Sequence, residues 1–437
     1  MKSTVDMTKG APFPLLIRFG TPLMLTSLLR QLYSLCDSLI IGRLLGLDAF
    51  AAIGAASFVA GLPQNMFLGL SLGYEAVLAQ LFGAGDQLGF RSSKRRAGLL
   101  SFWGAFVCSV LLILFRDPLL RLLNTPSELI ELSGDYLLVI YGGLSIHALF
   151  DWAASTLRAS GDSQTPLRAI FISSVCNIIV DLLLVYVIPL GVQGAALGTV
   201  IAQLVSLAVC LKAMHANPPQ FPPAASAKVD GSTKRLLYMG LPPMLRDGVI
   251  SVGGLFVQSV INSFGVALVA GMTASGVYFT VMNMAGDGIE GAVATFVGQN
   301  VGAGLRDRIQ HGTKTAALLA VTLSALTAAA AWVLAPHLIA LITGYGDQEA
   351  LRMGTFALRC TALFLPALYL LCMYRAALQG MGDSVTPMLS GFTELALRVV
   401  CVLFLPPYIS YGAACIAEGV GWLGAAVLLI VRYIVSI

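Results

Sequence analysis

The sequence predicts an all-α membrane protein, with twelve transmembrane helices in two pseudo-symmetric bundles of six. Three observations carry that expectation. The 437 residues are 57% hydrophobic and only 11% charged, whereas a soluble globular domain carries about 25% charged residues. Apolar runs recur from end to end, many reaching the roughly 20 residues that cross a bilayer. Short motifs also recur in the same order half a chain apart, a period far too long for a solenoid repeat.

The expected spans of the first half are approximately 14–41, 52–80, 97–115, 130–157, 168–188 and 192–213. Those of the second half are approximately 236–263, 267–298, 314–342, 352–378, 388–406 and 412–435. Gly20-Thr21-Pro22 in the first span returns as Gly240-Leu241-Pro242 in the seventh. Gln80-Leu81-Phe82-Gly83-Ala84-Gly85 closes the second span and Gln299-Asn300-Val301-Gly302-Ala303-Gly304 the eighth. Leu157, Gly161-Asp162-Ser163 and Thr165-Pro166 match Leu378, Gly382-Asp383-Ser384 and Thr386-Pro387, and Gln193-Gly194-Ala195-Ala196 matches Tyr411-Gly412-Ala413-Ala414. Gly- and Pro-rich turns such as Pro189-Leu190-Gly191, Gly344-Tyr345-Gly346 and Pro406-Pro407 punctuate the runs. Residues 213–234 contain Asn217-Pro218-Pro219 and Phe221-Pro222-Pro223 and cannot continue a helix. They read as a cytoplasmic linker between lobe 1–212 and lobe 235–437. Duplicated lobes in so apolar a chain point to a transporter built from two parallel repeats.

Charge placement gives an orientation. Arg91, Lys94, Arg95, Arg96, Arg158, Arg168, Lys212, Lys228, Lys234, Arg235, Arg306, Arg308 and Lys314 fall on one side, joined by Lys2, Lys9 and Arg432. The other side carries Arg43, Arg116, Arg121 and Arg352. The positive-inside rule then makes both termini cytoplasmic, in a multi-pass protein of the cytoplasmic (inner) membrane. The first apolar segment is too long for a cleavable signal peptide and lacks a cleavage site. The net charge of +4 implies no nucleic-acid partner. Gly83-Ala84-Gly85-Asp86-Gln87-Leu88-Gly89 has the wrong spacing for a dinucleotide fingerprint, and there is no P-loop. The eight cysteines, with no C-x-x-C pair, read as packing residues. No nucleophile or metal constellation indicates an enzyme. No cofactor is expected beyond a coupling ion.

Charged residues inside a bilayer require a reason. Asp37 stands one helical turn beyond Tyr33, and Asp181 one turn beyond Asn177, so each acid shares a helix face with a hydrogen-bonding neighbour. Asp181 lies nine residues before Leu190 and Thr199 nine after it, about 13 Å from that turn on either side. Asp37 stands at a similar depth before Gly46. Two carboxylates, an amide and a hydroxyl at one level suit Na⁺, or a proton shared between the acids. The alternative is a structural polar pair. The repeat weighs against it, because Val257, Val402 and about Ala417 occupy the corresponding places in the second half.

Other embedded groups are candidates for a substrate cavity: Arg30, two turns from Asp37, and Asp287, Glu290, Met282 and Glu418. Arg246-Asp247 has the same two readings, cavity lining or ion pair. Glu394 and Arg398 at i,i+4 read as a self-neutralised pair. Met282, Met284, Met373 and Phe279 offer either an adaptable apolar wall or core packing. Asp151 has no evident role.

These motifs together resemble the multidrug and toxic compound extrusion (MATE) transporters, close to the prokaryotic DinF-like and NorM-like branches, over essentially the whole chain. The resemblance rests on Pro22 followed by Tyr33-x-x-x-Asp37, the duplicated Gly-Ala-Gly and Gly-Asp-Ser-x-Thr-Pro turns, and Asn177-x-x-x-Asp181 with Thr199. It implies two six-helix lobes and alternating access driven by H⁺ or Na⁺. Export of small organic, mainly cationic amphiphilic compounds is expected, by a monomer in the lipid bilayer. It assigns ion coupling to Asp37, Asn177, Asp181 and Thr199, with Tyr33 nearby. The same four residues would be the ligands if the ion is Na⁺. Pro22 would be a helix-bending point. The tenth span carries no acid, and the seventh none deep within it, which favours the DinF-like arrangement. A lipid-linked saccharide flippase of the same superfamily is the alternative. It would want a cationic cavity.

Overall fold

The structure, a computed structural model, describes residues 4–122, 125–223, 229–344 and 347–436. Lys2, Lys228, Tyr345, Gly346 and part of the expected linker lie outside the described residues. Among the described residues there is no strand. The first half contains α1 (Pro12–Leu44), α2 (Leu47–Gly83), α3 (Gln87–Leu114), α4 (Arg116–Leu122), α5 (Ser127–Gly142), α6 (Leu144–Ala159), α7 (Gln164–Asp181) and α8 (Gly191–Ala216), with a π-helical turn at Leu182–Val187. The second contains α9 (Thr233–Ser263), α10 (Val266–Gly302), α11 (Arg306–Thr343), α12 (Gln348–Met381), α13 (Val385–Phe404), α14 (Pro406–Ile409) and α15 (Gly412–Ser436).

Each of the twelve expected spans falls on one of these helices or on a consecutive group of them. Ten helices are individually long and apolar enough to cross a membrane, and α5 with α6, bent by 44°, make an eleventh. The seventh expected span is α9, which is 31 residues long but less apolar, because Pro242-Pro243 and Arg246-Asp247 interrupt its run. The third span begins earlier than its apolar core suggests. α3 starts at Gln87, so the Lys94-Arg95-Arg96 run lies on a helix instead of in a loop.

The chain folds into two compact units whose borders are not the expected 212 and 235. Unit 1 comprises residues 1–6 and 25–244, and unit 2 residues 7–24 and 245–437. The first helix of each half therefore starts in the other half's unit. The two crossings, at Met24–Leu25 and Met244–Leu245, each come two residues after the proline of the duplicated Gly-x-Pro motif. α1 nevertheless runs unbroken through Pro22.

Packing inside each unit relies on small residues at helix crossings, as expected where lipid removes the hydrophobic drive between helices. In unit 1, a Cβ on Gly73 of α2 would collide with the Met239–Gly240 backbone of α9. Phe67, Tyr74, Leu78, Phe90, Leu144 and Leu236 close the surrounding core. In unit 2, a Cβ on Gly20 of α1 would stand 3.0 Å from the Gly288 carbonyl, and Gly271 of α10 meets Gly354 of α12 equally closely. Large apolar side chains remain outside, such as Val266 at 85% and Leu341 at 83% exposure, as lipid contact requires.

The duplicated turns are duplicated capping devices. Gly161 and Gly382 have φ of +88° and +97°, a left-handed conformation that favours glycine. The next residue is the aspartate of the motif. Asp162 Oδ1 accepts from the Gln164 and Thr165 amides, and its Oδ2 from the Thr165 hydroxyl at 2.6 Å. Asp383 receives the same pair of bonds from Thr386. Each set satisfies amides that the first helical turn leaves unpaired. The described residues on either side of 224–228 are docked within unit 1. Phe221 packs on Phe82 and Phe90 with ring centres 5.2 and 5.3 Å away, and the Gly231 carbonyl accepts from Ser93 Oγ at 2.8 Å. All eight cysteines are free.

Candidate functional site

Within unit 1 a cavity of about 430 Å³ is lined by side chains of α1, α2, α5, α6, α7 and α8, among them Arg30, Tyr33, Asp37, Tyr136, His147 and Thr199. α1 supplies the first three along one stripe, at spacings of three and four residues. Tyr33 Oη donates to Thr199 Oγ1 at 3.2 Å. The Thr199 hydroxyl in turn donates to the Ala195 carbonyl at 3.3 Å.

Asp181 and Asn177 are on the last turn of α7, fully buried behind the cavity wall. The Asp181 and Asp37 carboxyls are neighbours that act on each other electrostatically, an approach that one shared proton turns from repulsive to attractive. Gly198 on α8 makes this packing possible, since a Cβ there would collide with Asp181 Oδ1 and come within 3.5 Å of Asn177 Nδ2. Immediately after Asp181 the backbone widens into the π-helical turn. Such turns re-aim side chains and are frequent at functional sites. Nothing in the residue pattern announced this one.

Asp37 Oδ1, both Asp181 oxygens and Asn177 Oδ1 are buried with no hydrogen-bond donor. Buried polar atoms are ordinarily satisfied. A set of acceptor oxygens without donors is suited to a proton or a hard monovalent cation, whose ligands are oxygens. Among the described residues no group of three or more His, Cys, Asp or Glu could hold a metal ion, and so rich an acidic cage is not needed for a single positive charge.

Two polar groups near the cavity were not legible as a pair. His147 Nε2 and Asp151 Oδ2 are 3.3 Å apart on α6, with Asp151 1% exposed. Their i,i+4 spacing was the available signal. Arg158, expected as a loop cation, instead pairs with buried Glu75 at 2.7 Å. It is an internal ion pair of unit 1.

The remaining cavity candidates belong to unit 2. Asp287 Oδ1 accepts from Asn283 at 3.0 Å. Met282, Met284 and Met373 are core residues and Phe279 stacks on Trp422, so core packing describes them. Glu418 is 42% exposed, 3.9 Å from Arg398, and Glu290 is half-buried. Arg246 is paired with Asp247 at 2.7 Å. Glu394 accepts from Arg398, as its spacing suggested, but also from Arg375 at 3.4 Å. Arg375, from α12, was missed, although an arginine deep in an apolar span was itself a signal.

Fold and site thus define a duplicated all-α membrane protein with a buried acid pair beside a cavity in its first half. The MatE family model matches the chain twice, over residues 22–183 and 243–404. The chain belongs to that family, which is the multidrug and toxic compound extrusion (MATE) family of transporters. Similar curated proteins include the probable multidrug resistance protein YpnP of Bacillus subtilis, 28% identical over 83% of this chain and 81% of that protein. Another is the probable multidrug resistance protein NorM of Thermotoga maritima, 23% identical over 89% and 84%. Among solved structures, the Vibrio cholerae MATE transporter VcmN in its bent form has a TM-score of 0.88, at 22% identity over 97% of both chains.

Proposed function

We propose that this chain is an ion-coupled antiporter that exports amphiphilic organic compounds by alternating access. Asp37, Asn177, Asp181 and Thr199 take up H⁺ or Na⁺, with Tyr33 holding Thr199 in place. The observation that carries this reading is the group of buried acceptor oxygens on Asp37, Asp181 and Asn177 that no protein donor satisfies. Asp37 lines the cavity and Asp181 is behind it, so a positive charge on the substrate and the coupling ion would compete for the same carboxylate. Each then weakens the other's binding by the same factor, as linkage requires. The relatives' description as multidrug resistance proteins supports an organic substrate. Pro22, close to the point where α1 passes from one unit to the other, is the place where α1 would bend. The chain works as a monomer in the cytoplasmic membrane with both termini inside. A cysteine at exposed Asn217, in a Cys-free background, should then resist labelling from outside intact cells.

The test is transport in proteoliposomes with an imposed proton or sodium gradient. One of the two gradients should drive substrate movement in the wild type. Asp37→Asn and Asp181→Asn should each abolish that coupling. Normal gradient-driven transport by the Asp37→Asn protein would overturn the assignment.

A further inference from the structure

The cavity of unit 1 has two chemical ends. Asp37 marks one. Arg30 lines the same cavity seven residues earlier on α1, about 10 Å back along the helix. Its guanidinium stands 6.0 Å from the centre of the Phe150 ring, and among the described residues no carboxylate is within ion-pair distance of it. Arg158, Arg246, Arg375 and Arg398 are each within 4 Å of an acid, whereas Arg359, like Arg30, lies over an aromatic ring instead. An arginine inside a bilayer is expensive unless it is paired, and Arg30 is the arginine that lines the cavity.

His147 adds a second group at this end. It lines the cavity from α6, and its Nε2 is 3.3 Å from Asp151 Oδ2. Its Nδ1 is buried, so it reaches a ligand once the ring turns toward the cavity, as a donor from the imidazolium. With His147 charged, the dyad with Asp151 is neutral overall, and Arg30 remains the unbalanced charge. Phe50, Ile53 and Phe150 supply apolar wall between the ends.

We propose that Arg30 and His147 form an oxyanion subsite, so that the transported amphiphile carries a carboxylate or phosphate group. The planar guanidinium can grip either group with two parallel hydrogen bonds. This rests on reading the cavity as the transport site. It narrows the substrate from an organic cation to a compound that also carries an acidic group, with any cationic group directed toward Asp37.

The experiment is equilibrium binding to the full-length protein in phosphatidylcholine nanodiscs, with no gradient. Four probes share one aromatic scaffold and carry a carboxylate, a phosphate monoester, the neutral methyl ester or a quaternary ammonium. The carboxylate or the phosphate probe should bind the wild type at least about tenfold more tightly than the ester, and the better of the two identifies the oxyanion. Arg30→Gln should reduce that ratio to less than about threefold, Arg30→Lys should retain part of it, and His147→Gln should lose less than Arg30→Gln. A wild-type ratio near one, an ammonium probe preferred over both anions, or a ratio unchanged in Arg30→Gln would each overturn the proposal. Should Arg30→Gln not fold, the wild-type ratio and Arg30→Lys still decide. If phosphatidylglycerol in the nanodisc displaces the bound anion, the site serves a lipid headgroup and the transported oxyanion is refuted. Asp37→Asn should keep the anion preference, so a failure of ion coupling and a failure of this subsite give different results.

Discussion

α7 and α13 occupy the same place in the two halves, and they treat buried charge in opposite ways. The offset that aligns Gly161 with Gly382 sets Arg398 opposite Asn177 and Glu394 opposite Ser173. In α13 the acid is held by two guanidiniums, Arg398 from its own helix and Arg375 from α12. In α7 Asp181 faces another acid, and the donor next to its oxygens is the Asn177 amide. One helix position has been used to neutralise a charge. The other has been used to keep a charge unsatisfied. A paired buried acid stabilises the frame it sits in, whereas an unpaired one raises the energy of the resting protein and is reduced only when something positive arrives. The two halves have one architecture and divide its tasks.

The sharpest way to break this comparison is to neutralise each acid in turn. Glu394→Gln leaves Arg375 without an acid within 4 Å and Arg398 with only Glu418, at 3.9 Å, and removing one partner from such a buried set costs about 3–5 kcal/mol. Low yield and a markedly lower melting temperature in detergent are expected. Asp181→Asn and Asp37→Asn remove charges that already lack donors, so the same measurements should show unchanged or slightly raised stability. An Asp181→Asn protein as damaged as Glu394→Gln would mean that the first-half acids are structural after all.

Gly198 of α8 and Gly419 of α15 extend the comparison to the next long helix of each half, each a close-packed glycine with a different neighbour. A Cβ at Gly198 meets Asp181, whereas a Cβ at Gly419 meets the Phe364 ring. Gly198→Ala should lower gradient-driven transport about tenfold, the scale on which a misplaced reacting group acts. Gly419→Ala should lower stability and leave coupling intact in the protein that folds. Reversed phenotypes, read by transport and thermal unfolding on the same preparations, would remove the distinction. Tyr33→Phe should have a smaller effect. It deletes one hydrogen bond, to Thr199, of about 1 kcal/mol, and a several-fold weaker apparent affinity for the coupling ion is expected.

Much of this was legible. Twelve apolar runs correspond to helices because a bilayer leaves the backbone few alternatives. The duplicated turns were visible because left-handed glycines and capping aspartates need particular residues at Gly161-Asp162 and Gly382-Asp383. The acids stood out because charge is rare in such a chain, and their spacing brought Tyr33, Asp37, Asn177, Asp181 and Thr199 together as neighbours. What stayed hidden depends on which helix faces which. The Arg375–Glu394 pair joins neighbouring helices and the Arg158–Glu75 pair residues 83 apart, and spacing within one helix reveals neither. The unit borders within α1 and α9 depend on packing across long separations, and the π-helical turn after Asp181 has no composition of its own.

The smallest effect concerns a charge outside the membrane spans, in the second copy of the capping motif. Asp162 and Asp383 cap equivalent helices, and Asp383 also accepts from an arginine, Arg432 Nε, at 2.9 Å. Burial acts to raise the Asp383 carboxyl. The Thr386 amide and hydroxyl and the Arg432 guanidinium outweigh it and hold the carboxyl below the ordinary range. A carboxylate with a depressed folded value binds protons more readily when unfolded. Its contribution to stability is therefore complete above the unfolded value of about 3.9 and is lost as pH falls toward the lower folded value. Arg432 is 48% exposed, so solvent screening limits the pair to about 1 kcal/mol or less. Asn caps nearly as well as Asp, so Asp383→Asn isolates the charge. The melting-temperature difference between wild type and Asp383→Asn should be constant from neutral pH to about pH 5 and close as the pH is lowered through 4 and below. A difference that stays the same down to pH 3, or widens there, would show that Asp383 acts only as a cap.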